Sequence, residues 1–281
     1  MPTEDLKKAK EILDASLDRP SVGRIYDYYL GGRHNYAIDR EFAQHIIRDL
    51  PEARIFARQN RGFVRRAVRY ARRDQGIRQF VDIGSGLPTQ GNVHEIADED
   101  GGRDALVLYV DNDPVARAHS RVLLADTADP QRHFALDGDF QDGPVLWQRV
   151  VEQGIDPDAP ICLLVTALLH FQLPEQRPDE MLAFYRDQLA PGSLLVLSHA
   201  TDEDTPPATR LAAARYVATT SRAHLRPRAE IRAFFGDLEL VEPGLVWTPQ
   251  WRPELAADGE PPFTDEDPTR ALAVAGVGRK A

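Results

Sequence analysis

Residues 81–91 read VDIGSGLPTQG. An apolar run that closes on Asp82 and breaks at Gly84-Ser85-Gly86 is a strand running into a glycine turn. Glycine tolerates positive φ and has no Cβ, so its neighbours' backbone N–H groups can approach a ligand closely. At the carboxyl edge of an open parallel sheet, that is where the architecture binds ligands.

Working outward from the turn, short aliphatic or β-branched runs alternate with helical patterns from Gln79 onward: QFVDI, ALVLYV, HFALD, ICLLV and SLLVLS. The spacing predicts helices near Asn92–Ala97, Pro114–Ala125, Pro144–Gln153 and Asp179–Leu189. This alternation is the pattern of an α/β, Rossmann-like, doubly wound sheet. Two later strands are expected at LELVEP near Leu238 and ALAVAGV near Ala271, joined by a Pro-rich acidic surface loop over 249–268. Residues 1–75 read as a helical cap with breaks at Pro20-Ser21 and Gly31-Gly32, and 76–281 as one compact unit.

Three strands in succession end in carboxylates: Asp82, Asp111 and Asp139. A lone Asp at a strand end is commonly a turn or cap residue. Three beside one glycine turn point instead to a nucleotide-like ligand. Asp111 is placed to accept ribose hydroxyls, and Asp139-Phe140 offers a carboxylate and an apolar ring to a base. Dinucleotides want G-x-G-x-x-G, whose helix N-terminus receives a pyrophosphate, but the third glycine position is Thr89. S-adenosylmethionine carries no phosphate; its methionine end needs close backbone approach and a carboxylate near its amino group, a task that suits Asp82.

The sequence resembles the class I S-adenosylmethionine-dependent methyltransferases, and within them an actinobacterial-type family formerly called a domain of unknown function. The segments that carry the resemblance are RIYDYYLGGRHNY, ARQNRGFVRRAVRY, QFVDIGSGLPTQGNVHE, YVDNDP, LLVTALLHF and LAPGSLLVLSHAT. It implies a seven-stranded, mostly parallel sheet whose last strand inserts antiparallel between two neighbours. It also implies that Gly84, Ser85 and Gly86 lie under the cofactor, with Asp111 and Asn112 at ribose and adenine, Asp139 and Phe140 around the adenine, and Thr166 beside the methionine. Pro88 departs from the third glycine of the family's G-x-G-x-G pattern.

His170 and His199 each follow a strand on the ligand edge and are candidates for a general base, or for simple packing beside the adenosine. Tyr28, His34, Asn35 and Tyr36 surround the Gly31-Gly32 pair, as a lid over the substrate or as anchors for the cap. Phe56, Asn60, Phe63, Ala67 and Tyr70 share a helix face, on which Asn60 must bond either cap backbone or ligand. Opposite them Arg54, Arg58, Arg61, Arg65, Arg69 and Arg72 read as a solvated face, with Arg61 able to turn toward a carboxylate.

A formal charge of −10 disfavours a phosphate backbone as partner, and LLVTALLH after the fourth strand lacks the Asp/Asn-Pro-Pro-aromatic motif of base methylation. A small-molecule acceptor is the expected substrate; a non-catalytic binder of the same cofactor is the alternative. The charged opening MPTEDLKKAKEIL is no secretory signal, and the longest apolar stretch, Ile161–Leu169, is about half a membrane span, so the expected location is cytoplasmic. Cys162 is alone, which leaves no disulfide and no cysteine metal cluster; no metal is expected.

Overall fold

A computed structural model of the chain describes residues 18–87, 91–219, 221–257 and 263–281. Five parallel strands follow the predicted runs: β1 (Gln79–Ile83), β2 (Leu106–Asp111), β3 (His133–Asp137), β4 (Ile161–Thr166) and β5 (Leu194–Ala200). The last strand, β8 (Ala273–Arg279), lies antiparallel between β5 and a short edge made of β6 (Glu239–Leu240) and β7 (Val246–Trp247). The sheet order is β3-β2-β1-β4-β5-β8-β6. The described residues thus form eight strands where seven were expected, because Pro243-Gly244 interrupts the edge; proline has no N–H to give the ladder.

The central strands are buried on both faces, as parallel strands covered by helices must be. Val81, Val110, Leu163 and Leu197 pack toward α6 (Gly143–Glu152), α7 (Pro178–Asp187) and α9 (Arg228–Ala233). Phe80, Tyr109, Leu164 and Val196 pack the other way, against α3 (Ala53–Arg69) and α4 (Val93–Gly101). Side chains alternate along a strand, so Asp82, Asp111, Thr166 and Ser198 continue the α3-facing rows to the carboxyl edge. The fold thereby collects its polar strand ends beneath one helix.

Among the described residues, α1 (Val22–Tyr29) and α2 (Ala37–Asp49) come ahead of α3, and the remaining α-helices are α5 (Pro114–Thr127) and α8 (Ala208–Arg215). The predicted helices after β1 to β4 are present within a few residues. Neither α8 nor α9 was foreseen, since PPATRLAAARYV and RAEIRAFF are short and weakly periodic. The loop expected over 249–268 is not a surface element at its start: Trp251 is fully buried against Phe63 and Tyr70. The arginine stripe is also corrected. Arg69 and Arg72 are buried, Arg69 donating to the Leu255 carbonyl and Arg72 to those of Ala97, Ile77 and Gly102. Buried guanidinium groups capture loop carbonyls that would otherwise go unpaired. Among the described residues no helix is long and apolar enough to cross a membrane.

Candidate functional site

A deep cavity opens at the carboxyl edge of the sheet, lined by Asp82, Gly84, Ser85, Gly86, Asp111, Asn112, Asp139, Phe140 and Thr166, and from above by Asn60 and His170. Gly84 and Gly86 have φ of +72° and +61°, a conformation L side chains rarely adopt. A Cβ on Gly84 would meet Leu168 Cδ1 at 2.6 Å, whereas one on Gly86 would meet nothing within 4 Å. Pro88 and Thr89, where the sequence departs from the glycine patterns, lie outside the described residues.

The carboxylates are held differently. Asp111 accepts from Gly86 N at 2.8 Å and Asp113 N at 2.9 Å, which fixes the glycine turn to β2. Asp139 accepts from the Asn112 side chain at 2.7 Å and from Gln141 N at 2.9 Å. Phe140 is buried and stacks on Tyr185 at 5.3 Å between centroids. Burial pushes the Asp82 carboxyl up to about 7, with Arg61 opposing the rise and Asp111 adding to it. Burial likewise pushes Asp111 up to about 6 against the pull of its two backbone N–H donors. Two carboxyls so raised are poised to become ionic when a cation arrives.

Arg61 lines the same cavity and is the charge closest in effect to Asp82. Its Nε is buried and has no hydrogen-bond partner, which is costly unless a ligand supplies an acceptor. Its neighbour Asn60 is fully engaged: Ser198 Oγ donates to Asn60 Oδ1 at 2.5 Å, and Asn60 Nδ2 donates to the Tyr26 hydroxyl at 2.9 Å. Tyr26 in turn donates to the Ala57 carbonyl at 3.0 Å, and Ser198 Oγ accepts from Ala167 N at 3.0 Å. Ala167, just past Thr166, holds a φ of +51°, so this bond secures a strained turn on the cavity floor.

The other candidates fall away from the cavity. His34 N and the Asn35 side chain both donate to Asp27 Oδ2 at 2.8 Å. Tyr36 N donates to Asp39 Oδ2, which also receives Arg24 Nε at 2.7 Å in a fully buried ion pair. Tyr28 packs beneath Arg54 and accepts from Gln44. None of these four lines the cavity; the N–H groups of His34 and Tyr36 and the Asn35 amide fasten the α1–α2 turn to two buried aspartates. His199 is fully buried and does not line the cavity; its Nε2 faces Arg226 Nη1 at 3.0 Å and its Nδ1 donates to the Ala200 carbonyl.

His170 does line the cavity, but burial, helped by the positive charge of Arg226, pushes it down to about 3. An imidazole so depressed is a poor proton acceptor at neutral pH. Tyr26 and Tyr29 of the expected lid segment and Phe56 of the Asn60 face also line the walls, which Phe171, Tyr216 and Thr209 from α8, not singled out in the sequence, complete. Arg61, Phe56, Tyr26 and Tyr29 carried a signal in the sequence, as the odd member of an arginine stripe, one residue of a shared helix face and two of an aromatic cluster. The α8 contribution carried none.

The family model described as S-adenosyl methyltransferase matches residues 7–281. This chain belongs to the S-adenosyl methyltransferase family. A putative methyltransferase from Thermobifida fusca YX is 36% identical over 95% of this chain and 97% of that one, with a TM-score of 0.84. A DUF574 family protein from Streptomyces avermitilis MA-4680 is 33% identical over 94% and 98%, with a TM-score of 0.85. PigF, solved with SAH, shares the fold at 17% identity and a TM-score of 0.51, over 99% of this chain and 69% of its own. No curated protein matches the chain.

The cofactor of this S-adenosyl methyltransferase is S-adenosylmethionine, and the cavity's chemistry fits it. A cationic methionine end would meet the raised Asp82 carboxyl, its carboxylate the orphaned Arg61 Nε, and its nucleoside the two further strand-end carboxylates, Asp111 and Asp139.

Proposed function

We propose that this S-adenosyl methyltransferase catalyses methyl transfer to a small-molecule acceptor. The observation that supports this reading is the continuity of one cavity: it runs from the strand-end carboxylates into an aromatic, uncharged chamber between α1, α3 and α8. A protein that only bound the cofactor would have no use for the chamber.

The cofactor supplies a methyl group already activated by its sulfonium. Asp82 pairs with the methionine ammonium and Arg61 with its carboxylate; Asp111 takes the ribose hydroxyls, and Asp139, Asn112 and Phe140 flank the adenine. Gly84 and Gly86 keep the floor free of Cβ atoms so that the ligand lies close to backbone. Thr166 and the Ala167 turn border the methionine end. His170 acts as a neutral wall beside Phe56 rather than a base, and the acceptor's proton departs to solvent. Catalysis then rests on alignment and on exclusion of water.

Calorimetric titration with S-adenosylmethionine, followed by assay of adenosylhomocysteine formation over an acceptor panel, tests the reading. Micromolar binding with turnover on at least one acceptor supports it. Binding without turnover across the panel favours the non-catalytic alternative, and failure to bind removes the site assignment.

A further inference from the structure

The chamber beyond the cofactor end has a composition that restricts what it can hold. It is built on a satellite hydrophobic cluster that includes Tyr29, Ile46, Leu50, Ala53, Ala212 and Leu272, all of which line the cavity. Aromatic groups form the inner walls. Phe56 meets Tyr26 and His170 edge-on at 6.4 and 6.0 Å, and Phe171 lies 5.8 Å from Tyr216. Among the described residues, the charged ones that line the cavity are Arg61, Asp82, Asp111, Asp113 and Asp139, every one of them at the cofactor end. An ionic acceptor entering the chamber would therefore shed its water without finding a counter-charge.

Besides Asn60, His170, Gln172 and Ser221, two polar features line the chamber. Thr209 is 5% exposed, and its Oγ1 is buried with no hydrogen-bond partner. The hydroxyls of Tyr29 and Tyr216 lie 3.3 Å apart, so one donates to the other and the second O–H is left to donate. Burial holds both phenols protonated at neutral pH, Tyr216 rising to about 12 and Tyr29 higher still. An unpaired buried hydroxyl persists at a cost that a bound ligand relieves.

We propose that the chamber is an acceptor site for an uncharged aromatic molecule bearing a hydroxyl or carbonyl group, gripped between Phe56 and Phe171 and hydrogen-bonded by Thr209 and the Tyr29–Tyr216 pair. It rests on the methyltransferase reading of the adjoining cofactor end. The aromatic walls match a flat ring in edge or offset contact, the lack of charge selects a neutral one, and the two hydroxyl features supply orientation at separate points of the wall.

The test uses the full chain saturated with adenosylhomocysteine and three ligands of one size: naphthol, naphthoate and naphthylmethylamine, the last cationic at neutral pH. Naphthol should bind at least about tenfold more tightly than either ion, because the chamber offers no partner for a charge. Thr209→Val and Tyr216→Phe should each weaken naphthol by about threefold to tenfold, the loss of one hydrogen bond. Adenosylhomocysteine affinity should be unchanged in both, which also reports that they fold. Naphthoate or the amine binding as tightly as naphthol overturns the proposal, as does failure of all three on protein that holds adenosylhomocysteine. Failure of adenosylhomocysteine itself strikes the cofactor assignment first, and the two failures are thereby told apart.

Discussion

Lowering the pH from about 8 to about 6 should weaken S-adenosylmethionine binding by about twentyfold, since two carboxyls that must be ionic in the complex take up protons in that interval. Asp82, raised by burial to about 7, is the larger contributor, and Asp111, at about 6, the smaller. For a group that binds only when ionised, the apparent Kd grows as its protonated fraction grows; across this interval that is about tenfold for Asp82 and about twofold for Asp111. The ligand-free protein responds in the opposite sense. Between about pH 4 and about pH 7 the folded state holds protons on these carboxyls that the unfolded chain has released, so their contribution to stability falls as pH rises and levels off above the folded pKa. Asp82→Asn therefore separates the two trends. It should abolish the tenfold part of the affinity profile, while stabilising the empty protein at pH 8 by an upper bound of about 4 kcal/mol, the cost of ionising a carboxyl whose pKa has moved from 3.8 to about 7. Titration calorimetry in two buffers of different ionisation enthalpy would show proton release on binding, and urea melts of both proteins would give the stability difference. A pH-independent Kd for the wild type, or an Asp82→Asn protein less stable than wild type at pH 8, would mean that Asp82 is not a buried carboxyl held protonated until the cofactor arrives.

Four further outcomes are expected. Arg61→Leu should weaken adenosylhomocysteine by about tenfold or more, a lost charge-assisted pair, yet leave adenosine affinity unaltered, since adenosine has no carboxylate; equal losses for both ligands in a titration would place Arg61 elsewhere. Gly84→Ala should cost roughly 1–3 kcal/mol of stability in a urea melt through its φ of +72° and the 2.6 Å approach to Leu168. Gly86→Ala, facing open space, should cost about 1 kcal/mol and show itself chiefly as lost cofactor affinity. His170→Gln should leave the shape of the pH–rate profile unchanged between about pH 5 and about pH 8, because an imidazole at about 3 does not titrate there; loss of a limb near neutrality would reinstate it as a base.

The strand ends were legible because side chains alternate with a strict period of two: once QFVDI, ALVLYV and ICLLV are aligned as parallel strands, Asp82, Asp111 and Thr166 must share a face. What lay above them was less so. Arg61 on α3 and Arg72 in the π-helical turn just past its end belong to the same sequence stripe, yet one faces a ligand cavity and the other is buried among the carbonyls of Ala97, Ile77 and Gly102. Helical periodicity says which residues share a face, not what another part of the chain brings to it. His34, Asn35 and Tyr36 looked chemical because polar aromatic residues clustered around glycines; their actual partners, Asp27 and Asp39, flank them in sequence and needed only the turn's geometry to be recognised. Thr209 could not be found at all, since its significance comes from an alanine-rich helix folding back over the sheet.

The bonds from Ala167 through Ser198, Asn60 and Tyr26 to Ala57 all point one way: each hydroxyl or amide receives a hydrogen from the sheet side and passes one toward the helix. The row has a polarity, like a line of magnets, and an amide in the middle is what allows it. Asn60→Asp keeps the shape but places two acceptors where the row needs one acceptor and one donor. Tyr26 would then have to turn its hydrogen toward the new carboxylate, and the Ala57 carbonyl would lose the hydroxyl while keeping its place in the α3 ladder. A substitution of one atom at the centre would reverse the link to Tyr26 and break the one to Ala57, at the wall of the acceptor chamber, and leave the floor of the cofactor site as it was.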